Sequence, residues 1–299
     1  MCGIMGYYSF GNTLPDKNKL EKMFTLLETR GRDASGFAFI DPITNKLKVT
    51  KAPIPSSKLV HTPEWISLSL PKILIAHTRM KTQGDPKNNM NNHPIFNKDG
   101  MAIVHNGMIH NDNEIFSKKI KRDAEVDSEA ILAILSQKHK DAIQKLFDKI
   151  HGIFAVAVID QSDPGKLLLI KKDNPIDIYY NSKDDILYFA SEREIMQRAL
   201  NLRSTYKRGF GIGEEDYHFY EMSNNHALTI NKNGIESYKK YTPRNSYGFG
   251  YGCGINNYLD DAILMECPYC FGSTYYNWTK LNNKCQHCGQ FINEEDIYV

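Results

Sequence analysis

The chain opens with Met1-Cys2-Gly3-Ile4-Met5-Gly6-Tyr7-Tyr8-Ser9-Phe10, and the run from Gly3 to Phe10 predicts a β-strand directly after a cysteine. Cysteine attacks a carbonyl carbon as its thiolate, so a reactive cysteine needs a neighbouring base or a lowered pKa. Removal of Met1 would place the α-amino group of Cys2 beside its own thiol, and such an amine has a pKa of ~7.7–8.0. From this stretch alone, Cys2 can be interpreted either as a nucleophile or as an incidental cysteine.

Beyond that start, strand-like and helix-like segments are grouped rather than alternating. Further strands are predicted over residues 37–40, 47–52, 73–78, 102–105, 153–160, 167–172, 178–181, 186–190, 218–229 and 235–241. Helices are predicted after a capping Asp16 and over residues 113–119, 127–137, 142–150 and 192–202. Strands early and late with helices between them favour an α+β fold, in which two mixed or antiparallel sheets carry helices on the outside.

The composition is ordinary for a soluble globular protein, with 41% hydrophobic and 24% charged residues and a formal net charge of +2. This balance gives no global reason to expect nucleic-acid or membrane binding. No apolar run approaches the ~18 residues that a bilayer span requires. The N-terminus also lacks the basic start and apolar core of a signal peptide. We therefore expect a cytoplasmic protein, whose cysteines stay reduced.

Four of the six cysteines form two Cys-x-x-Cys pairs near the C-terminus, and they are Cys267, Cys270, Cys285 and Cys288. Two such pairs at this separation are typical of a structural zinc site with four thiolate ligands, and redox pairs are the alternative. We therefore predict a zinc ribbon over residues 260–299 that depends on the metal for its fold. Residues 242–259, rich in Gly, Ser and Tyr, are predicted to be a linker.

The predicted ribbon has two possible uses for its aromatic residues. Tyr275, Tyr276 and Trp278, with Lys280, could stack on nucleic-acid bases, or the rings could form the small core of the ribbon. Zinc ribbons dock proteins as well as nucleic acids, so both partner classes stay open. Cys253, in the linker, is interpreted as incidental.

Several blocks rich in functional residue types follow the N-terminal cysteine. In chain order they are Arg30–Gly36, Ala76–Arg79 with Thr82 and Gly84, Asn91–Pro94, Val104–Gly107, Asp127–Glu129, Gly152–Ala155 and Phe189–Glu192. Together with Met1–Gly6, they resemble in their order the class II glutamine amidotransferases. The resemblance covers roughly Cys2 to Tyr241. It implies that residues 1–241 form the four-layer αββα sandwich of the N-terminal-nucleophile hydrolases.

The resemblance also implies acyl-transfer chemistry on glutamine. Cys2 would attack the side-chain amide, form a γ-glutamyl thioester and release ammonia, and water activated by the α-amine would then release glutamate. The side-chain amide of Asn106 and the backbone N–H of Gly107 would stabilise the oxyanion, and one such donor is worth ~2.7–4 kcal/mol. An ordinary hairpin turn is the alternative interpretation of this Asn-Gly pair.

The resemblance assigns the groups that would hold glutamine. Arg79 would bind the α-carboxylate through two hydrogen bonds, with a surface arginine as the alternative. Asp127 would bind the α-ammonium, and a helix N-cap is an alternative or coexisting role. Arg30 would brace the nucleophile or else form a structural ion pair. Thr82 and His93 would support the residues that contact glutamine, and no ligand spacing near His93 suggests a metal role.

Two positions depart from the pattern of the family. Met80 stands where glucosamine-6-phosphate synthase has Trp, and Gln83 stands where many members have His. Both lie in the loop that covers glutamine and gates the ammonia path in the family, so coupling to an acceptor is more affected than glutamine hydrolysis.

After Tyr241 we find no P-loop, no Ser-Gly-Gly-x-Asp pyrophosphatase loop and no phosphosugar isomerase domain. We therefore expect a separate synthetase to accept the ammonia, with nucleotide or nucleic-acid modification as one setting. The alternatives are a stand-alone γ-glutamyl amidohydrolase and a non-catalytic binding protein that retains the fold.

Overall fold

The computed structural model describes residues 2–116, 121–137, 139–202, 216–244, 262–266, 273–277, 283–285 and 288–292. The chain divides into two compact units, Met1–Asn245 and Ser246–Val299. The predicted boundaries of the linker stay predictions. Within the described ranges, no helix has the length and apolar character that crossing a bilayer would require.

The described strands are β1 Gly3–Ser9, β2 Ala34–Ile40, β3 Leu47–Ala52, β4 Ile73–Arg79, β5 Ile95–Phe96, β6 Met101–Ile109, β7 Gly152–Asp160, β8 Leu167–Lys172, β9 Asp177–Asn181, β10 Ile186–Ala190, β11 Tyr217–Glu221, β12 His226–Asn231, β13 Gly234–Lys240, β14 Ala262–Glu266, β15 Ser273–Asn277, β16 Asn283–Lys284 and β17 Phe291–Ile292. The described α-helices are α1 Lys17–Leu26, α2 Ser56–Leu59, α3 Pro63–Ile66, α4 Asp112–Ile115, α5 Ser128–Leu135, α6 Ala142–Lys149 and α7 Arg193–Leu200, and the short 3-10 helices are Leu27–Arg30 and Asn89–Asn91.

The first unit is built on two antiparallel sheets. The first sheet has the strand order β11-β9-β10-β1-β4-β2-β3, so the N-terminal strand lies at its centre. The second has the order β13-β12-β8-β7-β6-β5. The sequence did not distinguish mixed sheets from antiparallel ones. Every strand pair within the described sheets is antiparallel.

Three buried apolar clusters define the layers of this unit. One cluster joins the facing sheets and includes Ile4 and Ile75 from the first with Val104 from the second. A second covers the outer face of the first sheet with α1 and α7, and a third covers the outer face of the second sheet with α5 and α6. The order of layers is therefore helix, sheet, sheet, helix, and the α+β prediction is confirmed.

Helix α1 forms as the sequence predicts. The side chain of Asp16 accepts a hydrogen bond from Asn18 N at 2.8 Å, which satisfies one of the free N–H groups of the first turn. Leu20, Met23 and Phe24 are buried on one face, in keeping with their helical spacing.

Two local predictions were wrong. The single strand predicted over residues 218–229 is two strands in different sheets, β11 and β12, because the chain turns between them through Asn225 with φ of 58°. A non-glycine residue at positive φ interrupts an extended strand. The helix predicted over residues 113–119 is one turn, Asp112–Ile115, and residues 117–120 lie outside the described part.

In the second unit, the described backbone forms two antiparallel pairs. Strand β14 pairs with β15, and the short β16 pairs with β17. Of the predicted linker, residues 242–244 are described, and the side chain of Gln144 donates to Thr242 O at 2.8 Å.

Candidate active site

Cys2 lies immediately before β1, the central strand of the first sheet. Its side chain is partly exposed, and its Sγ lies 3.6 Å from the carbonyl oxygen of Met80. The next residue must be small. A Cβ on Gly3 would lie 2.6 Å from Leu27 Cγ and 2.9 Å from Thr78 Oγ1, so only glycine allows the chain to pass between these side chains. Cys2 is thereby held at one end of the central strand.

Arg30 anchors the backbone of this cysteine. It is buried at the end of the 3-10 helix Leu27–Arg30, and its Nε donates to Cys2 O at 2.7 Å. The same guanidinium forms an ion pair with Glu192, just after β10. The sequence offered bracing of Cys2 and a structural ion pair as alternatives, and Arg30 makes both contacts.

Arg79 is the last residue of β4 and is buried. Its guanidinium donates to Asn92 Oδ1 at 2.8 Å, to Gly84 O at 3.0 Å and to the carbonyl oxygen of Gln83. These bonds fix the plane of the fork that would meet a carboxylate. Thr82, in the same loop, is exposed, and its supporting role stays a prediction.

Asn106 and Gly107 lie inside β6 rather than in a hairpin turn, which excludes that alternative. Asn106 is buried, and its Nδ2 lies 3.5 Å from Ser191 Oγ, which in turn accepts from Ile4 N at 2.9 Å. This chain of contacts joins Asn106 to the strand that follows Cys2.

Gly107 occupies a position where a side chain does not fit. Its φ is 150°, and a Cβ there would lie 2.1 Å from Ile153 O and 2.7 Å from His105 Nε2. The backbone N–H of this residue is therefore presented without a side chain to obstruct it.

Asp127 precedes α5, yet its side chain makes no capping hydrogen bond to that helix. Instead, Oδ2 accepts from Ile109 N at 2.8 Å and Oδ1 accepts from the Ser128 hydroxyl at 3.3 Å. The N-cap interpretation is therefore not needed to explain this carboxylate.

The electrostatics of Cys2 link it to both predicted glutamine-binding groups. Burial raises the pKa of the Cys2 thiol, and the hydrogen bond to Met80 O lowers it. The charge of Arg79 also lowers this pKa, whereas that of Asp127 raises it. Both charges therefore act at the sulfur. The thiol has less thiolate than an ordinary cysteine and needs a base to react.

Three buried histidines, His77, His93 and His105, lie close to one another near the predicted site residues. The rings of His77 and His93 stack at 4.1 Å, and His77 Nε2 lies 3.0 Å from His105 O. Both ring nitrogens of His93 lack a hydrogen-bond partner in the described structure. Burial lowers the pKa of His77 to about 3 and lowers the pKa values of His93 and His105 as well. These imidazoles are neutral at pH 7, and the supporting role predicted for His93 stays a prediction.

The predicted zinc ligands are only partly described. Cys267 and Cys270 lie outside the described residues, whereas Cys285 is buried and Cys288 is exposed. Cys285 N donates to Gln290 O at 2.8 Å, and Gly289, with φ of 73°, donates from its N to Cys285 O at 3.0 Å. Within the described ranges, no group of three or more His, Cys, Asp or Glu side chains is arranged to hold a metal.

The structure brings in residues that sequence reasoning did not assign to the site, and these are Asn92, Ser128, Asn174, Ser191 and Glu192. Asn174 donates from Nδ2 to Asn106 O at 2.5 Å, and the others contact Arg79, Asp127, Asn106 and Arg30 as described above. All but Asn174 belong to blocks that carry the family resemblance, so position within a block was the available signal. Asn174 had no such signal.

Known proteins share sequence and fold with part of this chain. Residues 77–198 match a family model described as a glutamine amidotransferase domain. Glutamine–fructose-6-phosphate aminotransferase (isomerizing) of Agrobacterium fabrum is 33% identical over 192 residues, which cover 60% of this chain and 30% of that protein. The protein of the same name from Aquifex aeolicus is 34% identical over 186 residues, covering 59% and 30%. The chain thus aligns with about 30% of the length of these curated relatives.

Solved structures share the fold at low sequence identity. Glutamine phosphoribosylpyrophosphate amidotransferase from B. subtilis, complexed with ADP and GMP, has a TM-score of 0.61 at 17% identity over 81% of this chain and 49% of that one. A glutamine aminotransferase class-II domain protein from Silicibacter pomeroyi has a TM-score of 0.51 at 15% identity over 82% and 100%. Residues 77–198 therefore match a glutamine amidotransferase domain, the aligned relatives share 33–34% sequence identity with this chain, and the solved structures share its fold.

Proposed function

We propose that this domain hydrolyses the side-chain amide of glutamine with Cys2 as the nucleophile and supplies ammonia to a separate synthetase. One observation carries the proposal. Thr78, the neighbour of Arg79, pairs with Gly3, the neighbour of Cys2, and the charges of Arg79 and Asp127 both act on the thiol of Cys2. A cation and an anion beside one nucleophile match the α-carboxylate and α-ammonium of an amino acid whose side chain reaches the sulfur.

Bond formation and proton transfer balance with groups of this chain. In the first step the α-amine of Cys2 takes the thiol proton while Sγ attacks the amide carbon, and the carbonyl oxygen becomes an oxyanion. The Asn106 amide and the Gly107 N–H donate to that oxyanion. As the C–N bond breaks, the ammonium returns its proton to the leaving nitrogen, which departs as ammonia.

The second step removes the acyl group. Water loses a proton to the same amine and attacks the thioester carbon, and the Cys2 thiolate leaves with glutamate as the product. Because burial raises the pKa of the thiol, the thiol needs a base, and in this mechanism the α-amine of Cys2 is that base. Removal of Met1 is therefore a requirement for activity, since a peptide bond at Cys2 would leave no amine to act as the base.

The acceptor of ammonia is proposed from the same relatives. Their printed names describe transfer to fructose 6-phosphate, and the chain aligns with only about 30% of their length. In this proposal the aligned part carries out the glutamine chemistry, and a separate synthetase accepts the ammonia. Met80 is half exposed beside Cys2. In this proposal the partner approaches Cys2 along this exposed side chain.

The C-terminal unit is proposed to be a zinc ribbon that docks the partner or its nucleic-acid substrate. Of the four proposed ligands, the structure describes Cys285 and Cys288. Cys285 N donates to Gln290 O, Cys285 O accepts from Gly289 N, and Gly289 has a positive φ, an arrangement that suits a metal-binding knuckle. Zinc would join Cys285 and Cys288 to Cys267 and Cys270 and would supply stability rather than chemistry.

The experiment is a glutaminase assay on protein whose intact mass shows that Met1 is absent. We expect glutamate release that is abolished in Cys2→Ala and retained in Cys253→Ala, a matched change at a cysteine outside the proposed site. Stimulation by a co-purifying synthetase supports the partner, whereas full activity without one selects the stand-alone amidohydrolase. No glutamate release from processed protein, alone or with the synthetase, overturns the proposal in favour of a binding protein.

A further inference from the structure

The proposed ammonium-binding carboxylate, Asp127, is held in one orientation from both sides. Its Oδ2 accepts from Ile109 N at 2.8 Å, and its Oδ1 accepts from the Ser128 hydroxyl at 3.3 Å. Its own backbone is helical, with φ of −57° and ψ of −31°, and it does not cap α5. The hydrogen bonds of its two oxygens therefore orient the carboxylate and do not cap the first turn of α5.

The hydroxyl that contacts Asp127 is itself held by a buried imidazole. Ser128 Oγ lies 2.8 Å from His105 Nδ1, and both residues are 2% exposed. An ionised carboxylate only accepts hydrogen bonds, so the Ser128 hydrogen points to Asp127. The hydroxyl oxygen must then accept, and His105 must carry its hydrogen on Nδ1.

The backbone of His105 is held by a neighbouring imidazole, while its own Nε2 has no hydrogen-bond partner in the described structure. The backbone oxygen of His105 accepts from His77 Nε2 at 3.0 Å. On the other edge of the ring, Nε2 faces Gly107, whose Cβ position would lie 2.7 Å away. One ring therefore connects the strand of the proposed oxyanion donors to the carboxylate.

We infer that Ser128 and His105 are positioning residues that orient Asp127 and so give the enzyme its selectivity for amides that carry an α-ammonium. The inference rests on the proposed function, because it assigns a task to the carboxylate of that same site. Neither residue would touch the bond that breaks. Their loss should weaken recognition of the ammonium while the nucleophile and the oxyanion donors keep their places.

The test compares two substrates that differ only in that ammonium, glutamine and glutaramate, the same amide without the α-amino group. The measured quantity is the ratio of their kcat/KM values. We expect Ser128→Ala to lower this ratio by roughly tenfold, as for a lost hydrogen bond to a charged group, through a higher KM for glutamine. Glutaramate hydrolysis should be unchanged. Ser128→Thr, which keeps the hydroxyl, should restore the ratio.

A purely structural role for Ser128 gives a different result. In that case Ser128→Ala lowers the kcat/KM values of both substrates together and leaves their ratio unchanged. Ser136→Ala is the matched control. Its hydroxyl, just after the other end of α5, donates to Leu132 O at 2.6 Å, so this change removes a hydrogen bond and should leave the ratio intact. If Ser128→Ala keeps the ratio of the unmodified enzyme, the inference is overturned while the proposed function stands. No hydrolysis of glutamine by the processed enzyme overturns the proposed function instead.

A second measurement does not depend on any variant folding. Nitrogen-15 NMR of histidine-labelled protein reports which ring nitrogen carries hydrogen. We expect His105 to be neutral and protonated on Nδ1. A neutral ring protonated on Nε2 would remove the donor to Ser128 and overturn the inference.

Discussion

Arg30 donates a hydrogen bond from Nε to the carbonyl oxygen of Cys2 at 2.7 Å, across 28 positions of the chain. The contact fixes the backbone next to the proposed nucleophile without using the thiol. Because the same guanidinium pairs with Glu192, the orientation of Cys2 depends on a carboxylate far away in the sequence.

Neutralising that carboxylate should slow the reaction. In Glu192→Gln the shape is kept, but the charge that holds Arg30 is lost, and we expect kcat to fall by about tenfold with little change in KM. Steady-state kinetics of glutamate release measure both. Glu194→Gln is the control, because this exposed glutamate in the first turn of α7 pairs with Arg198, which is also exposed. Equal effects of the two changes would contradict the bracing role.

The fold was predictable from the sequence to the extent that it is encoded locally. The helical spacing of Leu20, Met23 and Phe24 and the cap by Asp16 depend on neighbours within a few positions, and both are found. The pairing of β1 with β4 and β10 is different. It joins Gly3 to Thr78 and Met5 to Ala190, and no periodicity reports which distant strand will become a neighbour.

The candidate site shows the same difference between features that the local sequence encodes and contacts between distant residues. Motif resemblance singled out Cys2 and Arg79, whose residue types suit the chemistry that is proposed on glutamine. It did not predict what holds them. Asn174 contacts Asn106 over 68 positions, and Glu192 contacts Arg30 over 162, so these partners emerge only when the sheets are assembled.

Gly107 should not tolerate a methyl group. In Gly107→Ala the Cβ would lie 2.1 Å from Ile153 O at a φ of 150°, so the strand must shift and carry the N–H away from the oxyanion. We expect kcat to fall by about 100-fold or more, with a lower melting temperature. Gly165→Ala is the control, because nothing lies within 4 Å of its Cβ position. Wild-type kcat in Gly107→Ala would exclude this amide as a donor.

Zinc removal should destabilise the C-terminal unit and leave the stability of the first unit unchanged. If the four cysteines bind zinc, metal analysis gives about one zinc per chain, and a chelator unfolds the C-terminal unit while glutaminase activity without a partner is kept. Cys285→Ser should lose the metal. Cys253→Ser should keep it, which distinguishes ligation from a general effect of removing a thiol. Wild-type zinc content in Cys285→Ser would contradict the four-cysteine site.

The buried histidines should make the fold sensitive to acid. Burial lowers the pKa of His77 to about 3 and that of His93 well below its usual value, so both are neutral in the folded chain. In the unfolded chain each takes up a proton near pH ~6.5. The unfolded state therefore binds more protons as the pH falls from about 6.5 towards 3, and the folded state loses stability over that window. Each histidine contributes a slope of up to ~1.4 kcal/mol per pH unit.

Replacing one of these histidines should reduce the slope without large damage to packing. Both ring nitrogens of His93 lack partners in the described structure, so an apolar side chain of similar size loses no hydrogen bond there. We expect His93→Leu to flatten the dependence of unfolding free energy on pH by about 1 kcal/mol per pH unit below pH 6. Urea unfolding between pH 7.5 and 4.5 measures it. His61→Gln, at an exposed position, should leave the slope unchanged, and an unchanged slope in His93→Leu would show that His93 does not stay neutral in the folded protein.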